Sequence, residues 1–138
     1  MLRVSKKVEY GVIALLHLAS QPDHTACVRE IASACNIPEP LLSKIMQSLK
    51  NKGFVSAVYG NHGGYSLTRD LASISLLDVN QLFAGPVQVA ECLNGSNECP
   101  AKKSCSIVAP MDVLNQKIIR LFQSTSLQSL SDKRVAAV

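Results

Sequence analysis

The sequence predicts a mainly α-helical protein with one small β-hairpin and a longer helix near its C-terminus. Three observations predict this fold class. Apolar residues recur at helical spacing through the first fifty residues. A glycine-rich segment at 60–64 separates two short β-prone runs, and apolar residues step by four and three between positions 107 and 121. The length of 138 residues, 47% of them hydrophobic, suits one compact domain and excludes a large multidomain enzyme.

Composition also limits the cellular setting. The formal net charge of +4 permits a polyanionic partner without requiring one. The longest apolar run, residues 11–16, is much shorter than a membrane span, and no small-residue cleavage site follows the basic N-terminus. We therefore expect a cytoplasmic protein without membrane contact, whose five cysteines do not form a disulfide framework.

Three helices are predicted before the hairpin. The first covers residues 8–19, with Ser5 as a possible N-cap, and is apolar around most of its circumference. The second covers residues 28–35 and ends at Asn36. The third has Pro40 in its first turn, where the missing N–H costs nothing. Its apolar stripe consists of Leu42, Ile45, Met46 and Leu49.

The hairpin follows the third helix directly. Gly53 ends that helix, and residues 54–59 are rich in β-branched and aromatic side chains. The loop at 60–64 then leads into a return strand at 65–68. The third helix, whose side opposite the apolar stripe is polar and basic, is therefore followed directly by a β-hairpin.

The C-terminal half contains a short helix, an irregular segment and a longer helix. The short helix is predicted at 75–83, and residues 89–106 show no periodicity. Irregular segments of this length usually have a function. The longer helix covers residues 108–123 and has coiled-coil spacing at Ile107, Met111, Leu114, Ile118 and Leu121. Such a stripe pairs with a second subunit or packs on the protein's own core, and the pattern leaves both open.

The order of these elements is typical of a winged helix-turn-helix DNA-binding domain. A helix in the major groove must offer donors and acceptors to bases and phosphates, and glycines allow a hairpin tip to approach DNA closely. A solvated helix face is the plain alternative. The candidate DNA-binding residues are Ser43, Lys44, Gln47, Ser48 and Lys50 in the helix, and Tyr59, Asn61 and His62 in the hairpin.

Three cysteines lie in the irregular segment, separated by six and five residues: Cys92, Cys99 and Cys105. Free backbone geometry lets such thiolates converge on one centre, and the absence of a Cys-x-x-Cys pair disfavours zinc. A metal-free redox sensor and an incidental set remain open. Lys102 and Lys103 would stabilise thiolates and anionic clusters alike. Cys27 and Cys35 are expected to be small buried hydrophobic residues.

Over residues 1 to about 130, the sequence resembles the Rrf2 family of bacterial winged-helix regulators. The resembling positions are Lys6, Tyr10, Ala14, Leu15, Ile31, Ala32, Leu49, Gly53, Phe54, Val55, Gly60 and the run Gly63, Gly64, Tyr65, Ser66, Leu67. The resemblance implies a homodimer that binds a double-stranded DNA operator. Cluster-binding members hold an iron–sulfur cluster with three cysteines of this segment, so the implied ligands are Cys92, Cys99 and Cys105.

The fourth ligand differs between branches of the family. IscR-like members have a histidine shortly after the third cysteine, where this chain has Ile107 and Val108. NsrR-like members use a carboxylate near the N-terminus of the partner subunit, and Glu9 occupies the matching place. Glu9 is therefore the candidate. A surface role for Glu9 at the start of its helix, or ligation by His17 or His24, are the alternatives.

The combined hypothesis is a homodimeric transcriptional regulator in which an iron–sulfur cluster, 2Fe–2S or 4Fe–4S, controls operator binding in response to cluster status or to oxidative or nitrosative stress. The expected divisions are a DNA-binding domain at 1–86, a cysteine segment at 87–106, and a dimerisation helix with a tail at 107–138. A metal-free thiol redox regulator is the alternative. No catalytic triad, phosphate loop or paired carboxylates indicate an enzyme. Tyr59 replaces an arginine of IscR-like wings, so a different operator sequence is expected.

Overall fold

The computed structural model describes residues 3–61, 63–93, 95 and 99–133. The elements in chain order are α1 (Lys6–Ser20), β1 (Thr25–Ala26), α2 (Val28–Cys35), α3 (Glu39–Asn51), β2 (Val55–Val58), β3 (Gly64–Leu67), α4 (Leu76–Ala84), α5 (Val108–Ser124) and α6 (Leu127–Ser131). Short 3₁₀ helices cover Leu71–Ser73 and Glu91–Leu93. The predicted mainly helical fold with a small hairpin is confirmed. Within the described ranges, no helix has the length and apolar character needed to cross a membrane.

Local capping chemistry explains where the predicted helices begin and end. The Ser5 hydroxyl accepts a hydrogen bond from the Val8 backbone N–H at the start of α1. Asn36 closes α2 in the left-handed conformation, with φ of 54°. Ser75 and Asp78 form a reciprocal capping box at the start of α4. These signals are local, which is why the sequence predicts the helix boundaries closely.

The hairpin belongs to a three-stranded antiparallel sheet in the order β1-β3-β2. The sequence does not indicate β1, which has two residues and pairs Thr25 with Ser66. A Cβ atom on Gly64 would collide with the Ala26 carbonyl oxygen and lie 2.6 Å from the Cys27 Cα. Position 64 therefore requires glycine because β1 packs directly against it.

The hydrophobic core lies between α1, α2, α3 and the sheet. The predicted apolar stripe of α3 is confirmed, since all four of its members are buried. Fully buried side chains from the other elements include Val8, Leu15, Leu18, Ile31, Ile74 and Leu127. This core fixes which face of α3 remains in solvent.

The C-terminal segment returns to this core through α6, which the sequence does not indicate. Leu127 is fully buried, and its backbone N–H donates to the Ile74 carbonyl at 2.8 Å. The Leu76 N–H donates to the Thr125 carbonyl, also at 2.8 Å. The end of α5 is thereby fixed to the start of α4.

The expectation that Cys27 and Cys35 are buried hydrophobic residues is wrong for Cys27 and holds only in part for Cys35, which packs against the core. Both are half-buried and make polar contacts. Cys27 caps α2: its sulfur accepts from the Glu30 N–H at 3.5 Å, and the Glu30 carboxylate accepts from the Cys27 N–H at 3.0 Å. The Cys35 sulfur lies 3.8 Å from Nδ1 of His17, and burial raises the pKa of the Cys35 thiol.

Candidate functional site

α3 presents a polar and basic face to solvent. Lys44, Gln47 and Lys50 are exposed, while Ser43 and Ser48 are half-buried at its edges. In the described part of the chain, neither lysine of this face forms a salt bridge. Their positive charge is therefore available to an external polyanion such as DNA.

The tip of the hairpin, which follows α3 in the sequence, is exposed to solvent. The Tyr59 side chain is 88% exposed, and Asn61 is also exposed. The predicted residue His62 lies outside the described residues. Gly60 adopts φ of +127°, a conformation that other residues rarely adopt, and a Cβ there would meet open space. The tip is thus free to approach a ligand closely.

The hairpin structure itself explains why position 63 is a glycine. A Cβ atom at this position would lie 2.8 Å from the Val58 carbonyl oxygen, which is too close for an ordinary contact. The sequence predicts that the glycines of this loop permit a close approach to DNA. The contacts show that Gly63 also allows the two strands to close into a hairpin.

The cysteine segment begins after α4 and ends at α5. Cys92 is half-buried in the second 3₁₀ helix, Cys99 is exposed in a turn, and Cys105 is half-buried just before α5. The Lys102 N–H donates to the Cys99 carbonyl at 3.2 Å within that turn. All three cysteines are free thiols.

The chemistry of this donor set fits an iron–sulfur cluster, but the described conformation does not assemble it. Thiolates are the ligands that such clusters use, and these three are not consumed by disulfides. Among the described residues, no group of three or more histidine, cysteine, aspartate or glutamate side chains is arranged to hold a metal ion.

Glu9 lies on the surface of α1 and pairs with a neighbour on the same helix. Its carboxylate accepts a hydrogen bond from Nζ of Lys6 at 2.8 Å, and this contact raises the pKa of Lys6. The Lys6 ammonium also lies 5.9 Å from the ring centre of Tyr10. This is the surface role that the sequence leaves open for Glu9. Of the two histidine alternatives, His17 contacts Gln21 and Cys35, and His24 is exposed.

α5 leaves most of its apolar stripe in solvent. Ile107 is 58% exposed, Leu114 is 45% exposed and Leu121 is 36% exposed; Met111 and Ile118 are partly buried. A helix that packed this stripe on its own core would bury these side chains. The exposed stripe therefore favours pairing with another polypeptide over packing on the protein's own core.

A hydrogen bond joins α5 to the cysteine segment. The backbone N–H of Val89 donates to Oδ1 of Asn115 at 3.0 Å. Asn115 is 6% exposed and is the buried member of α5, a helix that the structure describes throughout. The sequence offers no signal for this contact.

Two short helices, an exposed basic face on the second and an exposed hairpin directly after it define a winged helix-turn-helix DNA-binding protein. The chain belongs to the Rrf2 family, whose model, described as an iron-dependent transcriptional regulator, matches residues 4–133. It is accordingly a transcriptional regulator and not an enzyme.

Similar proteins and structures agree with this assignment. An HTH-type transcriptional regulator of Aquifex aeolicus is 33% identical over 128 residues, which cover 91% of this chain and 89% of that protein. Protein aau3 of Rhizobium meliloti is 30% identical over 134 residues, which cover 96% of this chain and 87% of that protein. The structure of CymR, the global cysteine regulator of B. subtilis, matches with a TM-score of 0.76 at 27% identity. The match covers 96% of this chain and 98% of the CymR chain. The structure of an IscR from T. potens matches with a TM-score of 0.71 at 25% identity. The match covers 96% of this chain and 88% of the IscR chain.

Proposed function

We propose that this protein is a homodimeric transcriptional regulator whose operator binding is controlled by an iron–sulfur cluster. The observation that carries the proposal is the set of three free cysteines in one segment that is hydrogen-bonded to α5. The family description as iron-dependent and the similarity to an IscR support it. The signal is a change in the cluster, through its assembly, its loss, or oxidative or nitrosative stress.

DNA recognition is assigned to α3 and the hairpin. Ser43, Lys44, Gln47, Ser48 and Lys50 contact the major groove and adjacent phosphates, while Tyr59, Asn61 and His62 contact the DNA through the hairpin. In a symmetric dimer, two such domains read half-sites about one helical turn apart. Binding through lysines weakens as salt rises, because each phosphate contact releases counterions.

The dimer is assigned to the exposed apolar stripe of α5. Burying Ile107, Leu114 and Leu121 against a second copy removes apolar area from water, which is the main driving force of association. The stripe covers about two heptads, so a short antiparallel or crossed pairing fits it better than a long coiled coil.

The cluster ligands are assigned to Cys92, Cys99 and Cys105, with the partner's copy of Glu9 as the fourth. A bound cluster supplies a redox-active and labile inorganic centre. The three thiols would bind it as thiolates. A single oxygen ligand among sulfurs is the more replaceable one, which suits a sensor.

A metal-free thiol switch is the second candidate, favoured by one specific observation. The three cysteines are free thiols and Cys99 is exposed, so an oxidant can reach it. The similarity to CymR, a cysteine regulator, agrees with this candidate. In that case two thiols form one disulfide, and their two protons and two electrons pass to an oxidant such as hydrogen peroxide.

Anaerobic purification separates the two candidates. We expect visible absorbance with iron and sulfide in stoichiometric amounts, lost in Cys92→Ala, Cys99→Ala and Cys105→Ala but kept in the control Cys27→Ser. Operator affinity is then measured for the cluster-loaded and cluster-free protein on a duplex that the wild type selects from a random DNA pool. A colourless protein whose DNA affinity responds to peroxide would establish the thiol switch and refute the cluster.

A further inference from the structure

We infer that Asn115 is a positioning residue that couples the cysteine segment to α5. The inference deepens the proposed function and rests on it. It names the contact through which a change at Cys92 reaches the dimer helix and the DNA-binding domain.

The contact joins two parts of the chain that are 26 residues apart in sequence. Oδ1 of Asn115 accepts a hydrogen bond from the backbone N–H of Val89 at 3.0 Å. Val89 is three positions before Cys92, and residues 91–93 form a single 3₁₀ turn. A movement of Cys92 therefore acts on Val89 through very little intervening backbone.

The burial of Asn115 within a helix indicates that its side-chain amide serves this hydrogen bond. Asparagine is a weak helix former, and burying its amide costs free energy unless the amide is hydrogen-bonded. An apolar side chain would suit a 6% exposed position inside a helix better if packing were the only requirement. The Val89 N–H belongs to irregular backbone and obtains from Asn115 the acceptor that regular structure would supply.

The far end of α5 completes the connection. The Thr125 carbonyl, one residue past the helix, accepts from the Leu76 N–H at the start of α4 at 2.8 Å. α4 packs on α1 within the DNA-binding domain. α5 is therefore held at Asn115 by the cysteine segment and at Thr125 by the domain that contacts DNA, so a shift at one contact is passed on to the other.

The test measures coupling as a ratio of two operator affinities, one for the cluster-loaded and one for the cluster-free dimer. Asn115→Leu removes the acceptor at similar volume, and Asn115→Asp keeps an acceptor oxygen. Gln116→Ala is the matched control, since it removes an exposed side-chain amide from the adjacent position of α5 and leaves the Val89 and Leu76 hydrogen bonds in place. Asn115→Ala serves as the second variant if Asn115→Leu does not fold.

We expect Asn115→Leu to reduce the ratio about fivefold or more, the scale set by one neutral hydrogen bond. Asn115→Asp and Gln116→Ala should keep the wild-type ratio. The amide hydrogen of Val89 should also exchange faster in Asn115→Leu, a local readout that a general loss of stability does not produce alone.

Two negative results can be told apart. A wild type whose affinity does not depend on cluster state refutes the proposed function and the coupling with it. The other negative result begins with a wild type that shows a clear ratio. If Asn115→Leu keeps this ratio while it remains a folded dimer with faster Val89 exchange, only the role of Asn115 is refuted.

Discussion

The Glu9 carboxylate and the Lys6 ammonium form a salt bridge of 2.8 Å on the exposed side of α1. Surface pairs of this kind contribute little to stability, because water screens them and the side chains lose freedom. The pair can therefore open at small cost. The proposed role of Glu9 as a ligand of the partner's cluster requires this opening.

Glu9→Ala is predicted to change the visible spectrum or to accelerate loss of the cluster, because it removes the proposed oxygen ligand. Lys6→Ala is the matched control, since it breaks the same salt bridge but keeps the carboxylate. The measurement is anaerobic absorbance and the rate of bleaching in air. Identical spectra and rates for wild type and Glu9→Ala would exclude Glu9 as a ligand.

The double variant Lys44→Ala with Gln47→Ala is predicted to weaken operator binding at least about tenfold, since base contacts are worth roughly 1–3 kcal/mol each. Fluorescence anisotropy over a range of salt concentrations measures this. Losing one phosphate contact should also lower the salt slope by about 0.9. The control, Lys7→Ala with Gln116→Ala, removes the same residue types from exposed positions outside α3. Unchanged affinity in the α3 variant would contradict the assignment.

Leu114→Glu is predicted to dissociate the dimer. The substitution places a charge at the centre of the exposed stripe, and burial of a leucine side chain is worth about 1.5–3 kcal/mol. Sedimentation velocity should show a dissociation constant raised at least about tenfold. Gln116→Glu adds the same charge to α5 at an exposed polar position and should remain dimeric. A stable Leu114→Glu dimer would place the interface elsewhere.

Cys35 is predicted to make the folded protein more sensitive to alkaline pH. Burial raises the pKa of this thiol, so the folded state favours its protonated form. The resulting stability is present below the ordinary thiol pKa of about 8.5 and is lost as pH rises through the raised value. Urea unfolding under reducing conditions should show wild type losing stability relative to Cys35→Ser between about pH 8 and pH 10. A difference that stays constant over this range would contradict the prediction.

Local chemistry made much of the fold predictable. The Ser5 cap, the left-handed Asn36 and the glycine loop act through near neighbours, so the helices and the hairpin follow from short patterns. The polar face of α3 also follows from its spacing. The three cysteines are visible in the sequence as a set, but their mutual arrangement is not.

The sequence by itself determined the helical order, the face of α3 that meets solvent and the presence of three thiols in one irregular segment. Only the tertiary structure decided that β1 and α6 exist and that Asn115 holds Val89. Each of these depends on partners distant in the chain: Ser66 for β1, Ile74 for α6 and Val89 for Asn115. An isolated two-residue strand or five-residue helix is not stable in water, so no local pattern can reveal it.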